Sequence, residues 1–178
     1  MMLVGSVVNR VRRVIHDLAR ETGKTIELVA DAEDTEIDKT IIERLADPMV
    51  HLIRNACAHG LETAEQRLAA GKSETGTVRL SADQSGDEII ITTRDDGRGI
   101  NRDAVRAKAE AQDLIAVGQV IADQDLLQMI FHPGFSTAAQ VTNLSGRGVG
   151  MDVVKRTIES LRGSIHIESI DGEGSTIT

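Results

Sequence analysis

Three glycines stand at alternate positions directly before a predicted helix. Gly146, Gly148 and Gly150 lie in "SGRGVGMDVVKR", residues 145–156. A helix N-terminus offers unpaired N–H groups and the positive end of the helix dipole, and glycines let an anion approach that backbone. The segment therefore predicts a phosphate-binding loop, although a flexible linker would show the same glycines. Its spacing matches neither the dinucleotide-binding fingerprint G-x-G-x-x-G nor the P-loop.

A second glycine-rich segment places carboxylates where an apolar predicted strand gives way to a turn. Asp95 and Asp96 lie in "RDDGRGI", residues 94–100. A carboxylate at this point can accept a hydrogen bond from an exocyclic amine, and Gly97 and Gly99 leave room for a flat ring against the backbone. The alternative is an ordinary Asp-Gly turn with solvated charges.

A third set of polar residues shares one face of a predicted helix. His51, Asn55 and His59 in "HLIRNACAHG" are four residues apart, with Arg54 beside them, which indicates a cleft wall. A zinc site built from both histidines is disfavoured, because they lie roughly 12 Å apart along the helix axis. Magnesium prefers oxygen ligands, so Asn55 is a better candidate than His59. Alternatively, the histidines are structural.

Alternating helices and strands must position these residues. The 3.6-residue and two-residue apolar periods predict the order helix, strand, helix, hairpin, helix, weakly patterned segment, helix and strand pair. The predicted helices cover 3–20, a stretch that begins in 31–38 and continues past Pro48 to Gly60, 101–112, a short piece at 123–131, and 151–161. The predicted strands cover 24–30, 75–83, 87–95, 164–169 and a last strand that begins near the end of the sequence.

Length, charge and composition limit the class of protein. The 178 residues carry a net charge of -8 and are 40% hydrophobic, which suits one domain with a substantial core. A nucleic-acid partner is disfavoured by this charge and by an aromatic content of only Phe131 and Phe135. Cys57 is the single cysteine, which excludes an internal disulfide. With no apolar run near 20 residues and no signal-like start, we expect a cytoplasmic location without membrane insertion.

Five motifs in order carry a specific family resemblance. They are "HLIRNACAHG", "DDGRGI", "IFHPGFSTA", "SGRGVGMDVVK" and "GEGST". They resemble the N, G1, F, G2 and G3 boxes of the ATP-binding kinase domain of the CheA family of chemotaxis histidine kinases, in the superfamily shared with Hsp90, MutL and gyrase B. The resemblance covers nearly the whole chain. It implies a Bergerat-type α/β fold, a two-layer α+β sandwich in which a mixed sheet and helices enclose ATP.

The resemblance implies which residues hold the nucleotide. Asp95 contacts the adenine amino group, with Gly97, Gly99 and Ile100 around it, and Thr176 helps to hold the base through water. Asn55 binds Mg²⁺, and His59 is the weaker candidate for the same ion. The phosphates lie on the second glycine loop, whose binding set is Gly146, Arg147, Gly148, Val149, Gly150 and Met151.

The predicted organisation is one catalytic domain over residues 1–178, part of a longer multidomain protein. Residues 1–23 are its N-terminal helix. By the resemblance, residues 116–147 are the ATP lid, with Phe131 and Phe135 as hinges or plugs. Acceptor, dimerisation and receptor-coupling domains then lie elsewhere. We expect this domain alone to be monomeric and the longer protein to be dimeric.

The implied activity is transfer of the γ-phosphoryl group of Mg-ATP to a histidine on a separate domain of a chemotaxis-type two-component system. Its implied partners are a histidine-phosphotransfer domain and the adaptor and receptor domains of a signalling array. His51 stands where ATPases of the superfamily carry a water-activating glutamate, which favours transfer over hydrolysis. Its imidazole can orient or deprotonate the acceptor, while Arg54 and the helix N-termini spread the phosphate charge.

Two departures from the family keep alternatives open. Ala58 replaces an aspartate that many relatives carry, and Ala104 replaces a lysine or arginine, although Arg102 and Arg106 are close in sequence. A catalytically weakened nucleotide-binding regulatory module is therefore one alternative. A clamp-type ATPase is another, with the missing glutamate at position 51 as contrary evidence. Self-phosphorylation on His16 is a minor possibility, because the surrounding motif is incomplete.

Overall fold

The described part of the chain contains seven strands and six α-helices. The structure is a computed structural model that describes residues 2–3, 5–31, 36–135 and 150–178. The strands are β1 (Met2–Leu3), β2 (Ile26–Asp31), β3 (Glu36–Ile37), β4 (Gly76–Ser85), β5 (Glu88–Asp95), β6 (Ile167–Ile170) and β7 (Gly174–Ile177). The helices are α1 (Gly5–Thr22), α2 (Lys39–Asn55), α3 (Ala64–Ala69), α4 (Arg102–Ala111), α5 (Asp123–Gln128) and α6 (Met151–Ser160).

Five of the described strands form one mixed sheet in the order β2-β4-β5-β7-β6. The pair β2–β4 is parallel, and the other three pairs are antiparallel. Along β4, Val78, Leu80 and Ala82 are buried, whereas Arg79 between the first two and Asp83 after the last are exposed. This alternation shows that one face of the sheet packs on the core while the other meets solvent. The predicted mixed sheet is confirmed.

Helices α1 and α2 cover the buried face of the sheet. The apolar stripe of α1 includes Val8, Val11 and Ile15, all buried, and Gly23 follows the helix with a positive φ of 69°. The predicted first helix is therefore confirmed with a shift of two residues. Pro48 lies inside α2, so that helix runs through it.

The start of α2 differs from the prediction. Glu36 and Ile37 form a short antiparallel pair with β1, and the helix begins only at Lys39. Asp38 is its N-cap, since its side chain accepts a hydrogen bond from the Thr40 N–H at 2.8 Å. Ile37 is 1% exposed, so its burial holds this segment extended before the helix begins.

The middle of the chain follows the predicted pattern closely. β4 and β5 form the predicted hairpin, turning at Gly86, whose φ is 62°. Asn101 caps α4 by accepting from the Ala104 N–H at 3.0 Å, as the sequence predicts. The short helical piece is also present, as α5 followed by a 3₁₀ turn over Met129–Phe131.

Both phenylalanines of the predicted lid are buried. Phe131 packs with Leu52, Met151 and Val154, and thereby joins its segment to α2 and α6. Phe135 belongs to a separate cluster with residues of α4 and α5. The rest of the predicted lid, from residue 136 to 147, lies outside the described residues. Within the described ranges, no helix is both long enough and apolar enough to span a bilayer.

Candidate functional site

A cavity of about 400 Å³ lies between α2, α4 and the buried face of the sheet. It brings together residues from all three regions that the sequence predicts to be functional, although they are far apart along the chain. The predicted residues in its lining are His51, Asn55, His59, Asp95, Gly99, Ile100 and Met151. The arrangement is a cleft of the kind that holds a small organic ligand.

Asp95 supplies the carboxylate at one end of the cavity. It ends β5, directly opposite Ser175 of β7, and is 7% exposed. The Gly97 N–H donates to Asp95 Oδ1 at 2.9 Å. Burial raises the pKa of Asp95 to about 6, although hydrogen bonds from the Gly97 and Ser175 N–H groups pull it down. The side chain is thus an oriented acceptor in an apolar setting.

The glycines after Asp95 permit close approach of protein backbone. A Cβ atom at Gly97 would lie 2.0 Å from the Gly60 carbonyl oxygen. One at Gly99 would lie 2.7 Å from the Ile170 carbonyl oxygen, and Gly99 has a φ of 79°. The space that the sequence pattern reserves for a flat ring is therefore occupied by the chain itself at both positions. Gly99 still lines the cavity, whereas Gly97 is not in the described lining.

Helix α2 presents His51 and Asn55 to the cavity, and the turn that continues it presents His59, as their spacing predicts. The helix widens into a π-helical turn over residues 56–60, closed by a hydrogen bond from the Leu61 N–H to the Ala56 carbonyl at 2.8 Å. Asn55 Nδ2 donates to the sulfur of Met151 at 3.0 Å. The amide oxygen of Asn55 is therefore the atom left to bind a cation or phosphate-bound water.

Both cavity histidines favour their neutral forms. Burial lowers the pKa of His51, and the positive charge of Arg54 lowers it further, although Asp152 opposes the change. Burial together with Lys24 and Arg98 lowers the pKa of His59. Arg54 is not in the described cavity lining, so its effect on the site is electrostatic.

A lysine lies one helical turn from Ala104 in the cavity wall. Ala104 and Lys108 both line the cavity, four residues apart on α4. The Lys108 ammonium lies 4.8 Å from the centre of the Phe135 ring, and burial lowers its pKa. Arg98 also lines the cavity. Lys108 and Arg98 thus add positive charge to the wall of a cavity in which the sequence pattern suggests a deficit.

The predicted substitutes for Ala104 are engaged elsewhere. Arg102 forms an ion pair with Asp123 and donates to the Ser169 carbonyl. Arg106 donates to Glu110 and to the Gln119 carbonyl. Neither arginine is in the described cavity lining. Residues 102 and 106 lie about half a helical turn from 104, which directs their side chains away from the cavity.

The last predicted box presents Ser175 to the cavity, not Thr176. Ser175 and Ile177 line the described cavity wall, and Thr176 between them does not. Successive side chains of a strand point to opposite faces, so Thr176 turns toward the other face of the sheet. The role predicted for Thr176 is therefore better placed on Ser175, whose hydroxyl donates to Ser169 Oγ at 3.2 Å.

The second glycine loop is described only at its end. Gly150 is the N-cap of α6, and Met151 opens the helix against Asn55. Gly146, Arg147, Gly148 and Val149 lie outside the described residues, so their predicted phosphate contacts stay predictions. The N-terminus of α6 nonetheless begins at the cavity, with Met151 in its wall.

Among the described residues, no group of three or more His, Cys, Asp or Glu side chains could hold a metal ion. The donor set still suits Mg²⁺ bound chiefly by a ligand's oxygens and by water, because this ion uses few protein ligands in nucleotide sites. Asn55 is the oxygen donor that the cavity provides, and His59 stands one turn further along the same wall.

Several cavity residues fall outside the prediction, among them Arg98, Lys108 and Ser175. Lys108 could have been found from its four-residue spacing to Ala104. Ser175 could have been found from strand alternation, once the pairing of Asp95 with β7 is known. Arg98 lies inside the predicted "RDDGRGI" motif, but its type alone does not distinguish a cavity cation from a solvated one.

Residues 44–178 match the model of the family described as histidine kinase-, DNA gyrase B-, and HSP90-like ATPase. The chemotaxis protein CheA of Rhizobium meliloti is 51% identical over 175 residues, which are 98% of this chain and 23% of that protein. The sensor histidine kinase CheAY of Helicobacter pylori is 47% identical over 178 residues, 99% of this chain and 22% of that protein. The chain thus spans less than a quarter of the length of these relatives.

Solved structures share the fold at low sequence identity. The catalytic domain of histidine kinase ThkA is similar with a TM-score of 0.60 at 15% identity, covering 99% of this chain and 89% of that one. The histidine kinase domain of the Erythrobacter litoralis EL346 blue-light activated histidine kinase has a TM-score of 0.56 at 16% identity, covering 99% and 63%. The predicted α/β sandwich is thereby confirmed. Because the family model covers most of its length, the chain belongs to the histidine kinase-, DNA gyrase B- and HSP90-like ATPases.

Proposed function

We propose that this chain is the ATP-binding catalytic domain of a chemotaxis-type histidine kinase, which transfers the γ-phosphoryl group of Mg-ATP to a histidine on a separate domain. The observation that supports it most is the polarity of the cavity. A buried carboxylate, Asp95, lies against Gly60, whereas Asn55 lies against Met151 at the N-terminus of α6, and His51 and Lys108 line the same cavity. This division fits a ligand with a base at one end and anionic groups at the other.

At the base end, Asp95 accepts a hydrogen bond from the adenine amino group. Its carboxylate is aimed by the Gly97 and Ser175 N–H groups, which leaves further lone pairs for the ligand. Val78, Ile100 and Ile177 line the cavity and would supply apolar contacts to the ring. Specificity for adenine then rests on one oriented acceptor in a low-dielectric pocket.

At the phosphate end, positive groups and backbone dipoles balance the triphosphate charge. Lys108 lines the cavity, and the N-terminus of α6 adds the positive end of a helix dipole. Mg²⁺, held by the Asn55 amide oxygen with His59 nearby, supplies neutralisation of the phosphate oxygens when bound. The glycine loop before α6 is proposed to add backbone N–H groups from Gly148, Val149 and Gly150.

His51 is the residue proposed to assist transfer. Its imidazole is neutral at physiological pH, so it can accept a proton from the incoming acceptor imidazole or orient it. The new bond joins the acceptor nitrogen to the γ-phosphorus, and the bond to the bridging oxygen of ADP breaks. With no carboxylate at position 51, water is activated poorly, which favours a protein acceptor.

A histidine-phosphotransfer domain is the proposed substrate. The names of the relatives, chemotaxis protein CheA and sensor histidine kinase CheAY, support a role in chemotaxis signalling. Adaptor and receptor partners, dimerisation of the longer protein and a cytoplasmic location stay predictions from the sequence.

Labelled ATP tests this function directly. The chain would be mixed with a purified acceptor domain from a chemotaxis kinase and [γ-³²P]ATP, and acid-labile label on the acceptor would be measured. We expect label on the acceptor histidine, lost in Asp95→Asn and strongly reduced in His51→Ala. Lys39→Met, on the exposed start of α2, is the control and should transfer normally. Free phosphate without labelled acceptor would instead indicate a clamp-type ATPase, and nucleotide binding with neither product a regulatory module.

A further inference from the structure

The segment between α2 and β4 carries an ionic network that no part of the proposed mechanism uses. Its centre is Arg67, 2% exposed, which pairs with Glu62 at 3.1 Å and with Asp96 at 3.0 Å. Lys72 pairs with Glu62 at 2.7 Å. Burying charges is costly, so a network built around a buried arginine in a small domain calls for a reason beyond stability.

The network is fully satisfied by hydrogen bonds. Arg67 Nε donates to the Ser73 carbonyl at 2.7 Å, and α3 presents the arginine from a helix begun by a capping box of Thr63 and Gln66. Although burial alone would raise the pKa of Glu62, its hydrogen bond with Lys72 keeps that pKa below the ordinary value. The carboxylate therefore stays charged and holds both cations in place.

Both cations also bond the backbone of the turn that follows Asp95. Arg67 donates to the Asp96 carbonyl at 3.2 Å, and Lys72 donates to the same oxygen at 3.0 Å. Lys72 donates in addition to the Gly97 carbonyl at 2.8 Å. The turn is thus held from outside the cavity by charged groups at two successive peptide units.

The geometry of a peptide unit carries this contact to Asp95. In a trans peptide the C=O and the N–H point in opposite directions from one rigid plane. The unit joining Asp96 to Gly97 directs its C=O to Arg67 and Lys72, so its N–H points the other way. That N–H donates to Asp95 Oδ1 at 2.9 Å. The cations therefore fix the plane of this peptide unit, and the N–H on its opposite side orients the Asp95 carboxylate.

We propose that Arg67 and Lys72, held by Glu62, are positioning residues that aim the Asp95 carboxylate at the amino group of the base. This inference rests on the proposed function, because it assigns the network to recognition of adenine at that site. Neither cation lies in the described cavity lining, so each acts through the Asp96–Gly97 peptide unit and not by touching the nucleotide.

The test compares ATP with inosine triphosphate, in which a carbonyl replaces the amino group and N1 carries a proton. Affinities of the intact chain for both would be measured by calorimetry with Mg²⁺. Lys72→Met keeps most of the length of the side chain and removes its three donors. We expect it to weaken ATP binding roughly tenfold, to weaken inosine triphosphate binding much less, and so to reduce the preference for ATP. Phosphotransfer at saturating ATP should stay within about twofold of the original rate.

A matched control and a second variant keep this test decisive. Lys39→Met removes an exposed lysine at the start of α2 and should leave both affinities unchanged. Arg67→Lys keeps the buried charge but cannot reach every acceptor, so it should shift the preference in the same direction as Lys72→Met. It serves as the test variant if Lys72→Met folds poorly. Equal loss of both nucleotides, or an unchanged preference in folded variants, would overturn the positioning role. Failure of the unaltered chain to bind ATP would instead overturn the proposed function.

Discussion

The buried Asp95 carboxylate lowers the stability of the fold at neutral pH. Burial raises its pKa from 3.8 to about 6. A raised acid pKa means that the fold favours the protonated form, so this contribution to stability is present below pH 3.8 and is lost as pH rises through 6. At neutral pH the ionised carboxylate costs about 3 kcal/mol, by the conversion of about 1.4 kcal/mol per pKa unit.

Asp95→Asn should therefore stabilise the nucleotide-free chain while removing the proposed acceptor for the base. We expect its free energy of unfolding to exceed that of the original chain by up to about 3 kcal/mol at pH 7.5, and the difference to shrink toward pH 4.5. Urea titrations at the two pH values measure this. A variant that is less stable at both pH values would contradict the assignment of the raised pKa.

Lys108 is predicted to bind phosphate in place of the missing side chain at Ala104. Lys108→Met should weaken Mg-ATP binding roughly tenfold, since it removes a charged donor, and leave adenosine binding unchanged. Arg106→Met, on the same helix but outside the described cavity lining, is the matched control. Calorimetry with Mg-ATP and with adenosine measures the two affinities. Equal weakening of adenosine would show that the variant damages the pocket as a whole.

At the scale of single residues, the sequence predicts a cavity residue when its chemical type and its position in a predicted element indicate the same role. Asp95 is found because a carboxylate directly follows an apolar strand, and Asn55 because its helical spacing to two histidines defines a face. Ser175 is missed in favour of Thr176 because a shift of one position in a strand moves a side chain to the other face. That choice depends on pairing with β5, which is a long-range contact.

At the scale of elements, two glycines with the same backbone conformation have different surroundings. Gly86 and Gly99 have φ values of 62° and 79°. An added Cβ at Gly86 meets no atom within 4 Å, whereas at Gly99 it lies 2.7 Å from the Ile170 carbonyl oxygen. Gly86 serves the hairpin turn, whereas Gly99 also lets β6 approach the turn that follows Asp95.

Substitution by alanine should separate these two effects. Gly86→Ala should cost about 1–2 kcal/mol of unfolding free energy, the cost of a left-handed conformation. Gly99→Ala should cost about 1–3 kcal/mol more, because the added carbon overpacks against β6. Thermal or urea unfolding of both variants measures the difference. Equal costs would mean that the close approach at Gly99 does not constrain the fold.

Elements with a clear apolar period are predictable from the sequence, and those without one are not. The hairpin, α1, α4 and α5 are found within about two residues, because periodicity and caps act locally. The two-residue pairing of β1 with β3 is missed, because so short a segment shows no period. Neither the strand order nor the burial of Arg67 is predictable, since both depend on residues distant in sequence.

At the scale of the molecule, the fold gathers three dispersed motifs around one cavity. The π-helical turn after α2, the turn after β5 and the start of α6 come from separate parts of the sequence. Lys24 supports the first of these by donating to the Cys57 and Ala58 carbonyls at 2.9 and 3.0 Å. The motif order predicts this gathering only through the family resemblance, because the residues alone do not specify which strands adjoin.

The central claim is that the cavity binds ATP with its base at Asp95 and its phosphates near Asn55. Calorimetric titration of the chain with ATP, with and without Mg²⁺, tests it most directly when repeated on Asp95→Asn. We predict saturable binding that Mg²⁺ strengthens and that the variant loses while remaining folded. Saturable binding with equal affinity in Asp95→Asn, or no binding by the unaltered chain, would contradict the claim.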